Sequence, residues 1–179
     1  LSAYVATLGL AQLVGGPLSD RYGRKLILFV GLTIFAIAAM MIAGADTLAE
    51  LVGWRIVQGI GGAFCAVSVP AIVRDQVGGQ EAARLFGLIG LIMFIAPAAA
   101  PSLGALMLAL GDWHWIFVFL AGYALLLAVV LQIALFPRLK PRPQATTPVK
   151  TLVTNYLLVL RHSTTMRFIG IQVMCFSTM

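Results

Sequence analysis

The chain has 179 residues, 61% hydrophobic and only 10% charged, with a mean hydropathy of +1.01. Soluble domains carry about a quarter charged residues, so lipid rather than water is the expected solvent for most of this chain. The net charge of +6 does not point to nucleic acid, because the bases sit in short gaps between long apolar runs, where they meet anionic headgroups and set topology.

Five apolar runs follow one another, at residues 1–18, 26–45, 51–73, 85–110 and 113–136. Each holds roughly 18 to 26 residues, enough at about 1.5 Å per residue to cross a hydrocarbon core of about 30 Å. An open strand would leave its backbone groups unpaired in lipid, and the runs are too long and continuous for barrel strands. The expected class is therefore all-α, a polytopic membrane protein. Small residues mark expected helix contacts: Ala11, Gly15 and Ser19 on the first run, Gly59, Gly62 and Ala66 on the third, Ala96, Ala100 and Gly104 on the fourth. Lipid gives helices no hydrophobic reason to associate, so close backbone packing takes over.

The connectors alternate in charge. The first holds Arg21, Arg24 and Lys25; the next holds Asp46 and Glu50 without a base; the third holds Arg74 and Arg84 with Asp75 and Glu81; the fourth holds only Asp112. Beyond residue 137 come Arg138, Lys140, Arg142, Lys150, Arg161 and Arg167 with no acid. The positive-inside rule makes the loops near 20–25, 74–84 and 137–165 cytoplasmic.

Three stretches could carry chemistry. The first is Gly16-Pro17-Leu18-Ser19-Asp20-Arg21-Tyr22-Gly23-Arg24-Lys25, which joins an acid at a helix end to a Gly-centred turn bearing three bases. Gly23 permits a tight reversal, and Asp20 can pair with a base or a helix N-terminus at the membrane boundary. The second stretch, 51–63, carries Arg55 about seven residues, or roughly 10 Å, past the outer end of its helix. A charge there costs on the order of 3 kcal/mol on insertion scales, so Arg55 should face the bundle interior and seek an acid, with Gln58 on its face one turn on. The plainer alternative is snorkelling to the headgroups. No acid inside the five runs could pair with it. The third stretch, 96–104, places Pro97 and Pro101 inside one span and ends on Gly104; each proline deletes a backbone hydrogen bond and favours a kink.

The segment 137–165 is the one long polar stretch. Pro137, Pro141, Pro143 and Pro148 suggest an extended first half. Leu152, Val153, Tyr156, Leu157 and Leu160 recur at helical spacing in the second, as in an interfacial amphipathic helix flanked by Lys150 and Arg161. Cys65 and Cys175 lie in apolar runs without disulfide or metal spacing, and the single His114 and His162 have no partner ligands, so neither a metal nor a cofactor is expected. Leu1 in place of an initiator Met and the roughly 12-residue apolar end, too short for a bilayer that needs about 20, read as cuts in a longer protein.

The first stretch resembles the signature loop between the second and third helices of the major facilitator superfamily. The resemblance implies that Asp20 and Arg24, supported by Arg21, Gly23 and Lys25, form a cytoplasmic gate. The second resembles that family's fourth-helix motif, which implies a role in proton transfer for Arg55 with Gln58; the coupling carboxylates of relatives often lie on the first helix. The third resembles the fifth-helix antiporter motif, although Ala100 and Ala105 stand where glycines are usual. With Ala71-Ile72-Val73-Arg74-Asp75 and Trp113-His114-Trp115-Ile116-Phe117, the chain looks like the bicyclomycin-resistance (Bcr/CflA) group of drug exporters. This implies helices two to six of an N-terminal six-helix half over 1–136, a central loop over 137–165 and the start of a seventh helix over 166–179.

The resemblance further implies a monomeric bacterial inner-membrane exporter that exchanges lipophilic drugs for protons by alternating access. The alternative within transport is a symporter or uniporter for a metabolite. An intramembrane enzyme would need paired catalytic groups inside the spans, which hold one Arg and no acid. A non-transporting receptor would leave the gate stretch and Arg55 without purpose.

Overall fold

The structure, a computed structural model, describes residues 2–139, apart from the side chain of Leu110. The expected interfacial helix, His162, Cys175 and the start of a further span lie outside the described residues. Five helices follow in order: α1 (Ser2–Tyr22), α2 (Arg24–Ala43), α3 (Leu48–Gln76), α4 (Gly79–Leu110) and α5 (His114–Val130). α5 continues through a π-helical turn, Leu131–Leu135, and a 3-10 turn, Phe136–Arg138. Every apolar run falls on a helix, as backbone satisfaction in lipid requires.

Four of these helices are long and apolar enough to cross a membrane: α2, α3, α4 and α5 with its extension to Arg138. The first predicted span differs. α1 has the length, 21 residues, but Ser2, Thr7, Gly9, Gly15, Gly16, Ser19 and Asp20 dilute its apolar character.

Local chemistry sets the helix ends. α1 and α2 are separated by a single residue, Gly23, at φ 96° and ψ 139°. That positive φ strains any residue bearing a Cβ, so the reversal depends on glycine. α3 starts on a capping pair: the Thr47 hydroxyl accepts from the Glu50 N–H at 3.2 Å, and the Glu50 carboxylate accepts from the Asp46 N–H at 3.2 Å. These bonds satisfy donors that a helix N-terminus otherwise leaves open.

α3 is the central rod. Its glycines let two neighbours approach to backbone distance on different faces. A Cβ on Gly59 would lie 2.8 Å from the Tyr4 carbonyl of α1, and one on Gly62 would meet the Tyr4 hydroxyl at 2.9 Å. A Cβ on Gly61 would lie 2.7 Å from both the Gly31 carbonyl oxygen and the Phe35 nitrogen of α2. Gly15 and Ser19 are buried as expected from their spacing, but Ala66 is exposed, and the buried Gly61 that packs on α2 lies outside that spacing. α2 also packs on α5, whose Ala121, Ala124 and Ala128 form a small-residue face. Leu28, Leu32, Ala36, Ile72 and Phe136 complete that core.

α4 stands apart. None of its described side chains is buried. Ala96 and Ala100 are exposed, and a Cβ on Gly104 would meet nothing within 4 Å. The stripe expected to join this helix to a neighbour thus has no partner helix among the described residues. The helix runs unbroken through Pro97 and Pro101.

The glycine contacts give a first prediction. Gly61→Ala drives a methyl into α2 backbone, which cannot swing aside as a side chain can. It should destabilise the protein by about 1–3 kcal/mol. Gly53→Ala, at a position with nothing within 4 Å, should not. Thermal unfolding in detergent distinguishes them; equal melting temperatures would count against glycine-mediated packing.

Candidate functional site

The ends of α1 and α3 and the start of α2 meet in one charged cluster. Arg24, the first residue of α2, places Nη2 2.5 Å from Asp20 Oδ1 of α1 and donates from Nε to Asp75 Oδ2 of α3 at 3.0 Å. A longer contact of 3.5 Å joins its Nη1 to the Ser19 hydroxyl. Each charge sits at the wrong end of its own helix. Carboxylates are disfavoured near a helix C-terminus and cations near an N-terminus. The three placements therefore make sense only as a unit, in which the planar guanidinium serves two carboxylates.

The two pairs are not equivalent. The Asp20 contact is shorter, but the Asp20 side chain is 51% exposed, against 10% for Asp75. Exposed pairs are screened and contribute at most about 1 kcal/mol. Hydrogen bonds to charged groups that are shielded from water contribute about 1.5–3 kcal/mol. Burial therefore outweighs distance, and Asp75 is the stronger partner. Beside the cluster lies a cavity of about 710 Å³, bordered by Gly16, Asp20, Arg24, Pro70, Arg74 and Asp75.

Of the other residues in this stretch, Lys25 has a different task. Its ammonium donates to the carbonyl oxygen of Phe136 and, at 3.3 Å, to that of Leu139. Carbonyls at a helix end lack intrahelical donors, and a lysine satisfies them while matching the dipole. Lys25 thus ties the start of α2 to the end of the α5 extension. Arg21 joins neither pair; its guanidinium lies 5.5 Å from the Tyr22 ring centroid. These contacts bring the ends of α1, α3 and α5 and the start of α2 to one end of the bundle. Arg21, Arg24, Lys25, Arg74 and Arg138 therefore lie toward that end.

The second set lies toward the other end of α3. Arg55 is half-buried, and its Nη1 donates to Gln58 Oε1 at 3.2 Å. Its guanidinium carbon sits 4.6 Å from the ring centroid of Phe117 on α5. Gln58 is only 1% exposed, and its Nε2 has no hydrogen-bond partner among the described residues; nor has the Ser68 hydroxyl on the same helix. No ion pair to Arg55 occurs among the described residues. Pro97, Pro101 and Gly104 on α4 join neither set.

Two residues of these sets are absent from the sequence-based site. Asp75 reads as one acid in a mixed loop, yet an acid in the last turn of a helix opposes the dipole and so signals an unseen cation. Phe117 gives no such signal, because one aromatic in an apolar run is indistinguishable from core. No group of residues able to hold a metal occurs among the described residues.

The unequal pairs predict an order of stability. Asp75→Asn should lower unfolding free energy by about 1.5–3 kcal/mol, and Asp20→Asn by at most about 1 kcal/mol. The Asp20 effect should also shrink in high salt. Melting temperatures of the purified protein in detergent, at low and high salt, check the order; a larger loss at Asp20 would reverse the assignment.

The profile of the Major Facilitator Superfamily matches residues 1–179. The chain is 38% identical over 121 residues to a chloramphenicol resistance protein of Pseudomonas aeruginosa, covering 67% of this chain and 29% of that relative. It is 32% identical over 149 residues to multidrug resistance protein MdtL of Klebsiella pneumoniae strain 342, covering 82% of this chain and 38% of that one. An uncharacterized MFS-type transporter, YdgK of Bacillus subtilis strain 168, is 34% identical over 137 residues, covering 74% and 34%. The chain spans between 29% and 38% of the length of these relatives. A profile matched along the whole sequence, on an all-α chain with several helices able to cross a membrane, establishes that it belongs to the Major Facilitator Superfamily.

Proposed function

We propose that this chain forms part of the N-terminal half of a multi-pass exporter that exchanges lipophilic drugs for protons by alternating access. The observation that carries the reading is on α3. One end of this helix is held by the Arg24 clasp, and near its other end Arg55 lies without a carboxylate partner among the described residues. A conformational gate and a site for charge coupling are the two devices that a secondary transporter needs. α3 connects them mechanically.

In this reading the clustered basic end is cytoplasmic, as the positive-inside rule requires. Asp20, Arg24 and Asp75 hold the cytoplasmic ends of three helices together in one state, and the cavity beside them receives the facing half of the transporter. Gly23 fixes the turn, Lys25 anchors the exit of α5, and Arg21 adds charge for anionic headgroups. Arg55 and Gln58 face a carboxylate supplied from outside the described residues. Protonation of that acid releases Arg55, and its deprotonation captures it again. Pro97, Pro101 and Gly104 bend and thin α4 where the two halves move against each other.

Drug export, rather than metabolite uptake, is supported by the relatives, two of which are named for chloramphenicol or multidrug resistance. The Bcr/CflA group is the one that the proline run and the Trp113–Phe117 stretch resemble. The full-length protein is proposed to act as a monomer, and no catalytic residue is assigned.

The sign of proton movement tests the mechanism. Proteoliposomes holding the full-length protein are loaded with chloramphenicol, and the internal pH is followed as the drug leaves. Exchange acidifies the interior, symport makes it alkaline, and uniport leaves it unchanged. Acidification is expected, and Arg55→Gln should abolish it. Drug exit with rising internal pH would establish the symporter instead.

A further inference from the structure

Arg55 carries a full charge into the bundle, yet both groups that hold it are neutral. One is its own helix neighbour Gln58. The other is Phe117, which comes from α5, far along the chain. Phe117 is 7% exposed, so its ring is a fixed wall and not a surface group. Its face lies toward the guanidinium carbon, 4.6 Å from the ring centroid. The negative π face of an aromatic ring attracts a cation at this range, most strongly where water is excluded.

The plane of that ring is also constrained. Trp113 meets Phe117 edge-to-face, with centroids 5.8 Å apart and planes at 83°. His114 stacks on Trp113 at 3.8 Å and 30°. Aromatic pairs prefer these offset and perpendicular arrangements, so the contact between Trp113 and Phe117 sets which surface Phe117 turns to Arg55. An aliphatic side chain could fill the same space but would present no quadrupole. Without that face, a long cationic side chain tends to extend toward the headgroups.

We propose that Phe117, braced by Trp113, is a positioning residue that keeps the Arg55 guanidinium inside the bundle while no carboxylate engages it. Its consequence for transport rests on the reading of Arg55 as a coupling group. The ring supplies a holding site weaker than an ion pair. Arg55 can therefore leave it for an ionised acid and return when that acid is protonated.

The test uses the full-length protein with Phe117 replaced by Leu, by Trp, and by mono-, di- and trifluorophenylalanine. The fluorinated series keeps the ring shape and weakens its negative face stepwise. Drug-driven proton exchange should fall stepwise with fluorine and drop on the order of tenfold in Phe117→Leu. Phe117→Trp should retain it. Independently of transport, the Arg55 Nε–H proton resonance, assigned by its loss in Arg55→Lys, should be shifted upfield by the ring current and lose that shift in Phe117→Leu. A packing role alone inverts the order, with the Leu and fluorinated variants active and Trp impaired, and overturns the proposal. If the unmodified protein exchanges nothing, the transport reading fails instead. An upfield Arg55 resonance with melting temperatures that fall stepwise across the fluorinated series then still upholds the holding site; an unshifted resonance or a flat series overturns it.

Discussion

One guanidinium shared by two carboxylates organises the charged end of this bundle. Arg24 lies between Asp20 and Asp75, and through them it joins the end of α1, the start of α2 and the end of α3. None of the three charges is stabilised by its own helix dipole, since each occupies the end where its sign is disfavoured. Their mutual attraction must outweigh that, and it does so where burial reduces screening, at Asp75. The same end also holds Lys25, which closes the last carbonyls of the α5 extension. Four helix ends are thus fixed by two adjacent basic residues that follow a single positive-φ glycine.

The clasp and the glycine contacts differ in how they respond to perturbation. Gly59 and Gly61 bring helix backbones to distances that leave no room for a methyl group, and Gly62 abuts the Tyr4 side chain of α1. Packing of this kind is close to all-or-none, so α1, α2 and α3 should move as a body. The clasp has one partner open to solvent and one nearly enclosed, a combination that can be loosened without unfolding the helices. A rigid body with a breakable end latch suits rocking motion between two states. None of α4's described side chains is buried in this body, and Ala96, Ala100 and both prolines lie on exposed faces.

Much of this was legible from residue order. The apolar runs at 26–45, 51–73, 85–110 and 113–136 all become helices, because in lipid no other short-range solution satisfies the backbone. Gly23 as a turn and Arg55 beside Gln58 follow from spacing alone. The first run reads as a full span, yet its small residues also serve packing: a Cβ on Gly15 would lie 3.1 Å from Phe64 of α3, and Thr7 lies against Gly59. Ala66 shares the helical spacing of Gly59 and Gly62, which face α1, whereas Gly61 lies on another face and meets α2; which face of α3 meets α2 is a tertiary fact. Asp75 and Phe117 are invisible to sequence periodicity for a related reason. Each acquires its role from a partner on another helix, 51 residues away for Asp75 and Arg24, and periodicity within one helix cannot report it.

The most direct measurement is a double-mutant cycle on Arg24 and Asp75, with Arg24→Gln, Asp75→Asn and the combined variant unfolded under the same conditions. If Arg24 ties α2 to α3 through Asp75, the two losses should not add, and a coupling energy above about 1 kcal/mol is expected for contacting charged groups. Losses that add within about 0.3–0.5 kcal/mol, the behaviour of independent sites, would contradict the clasp.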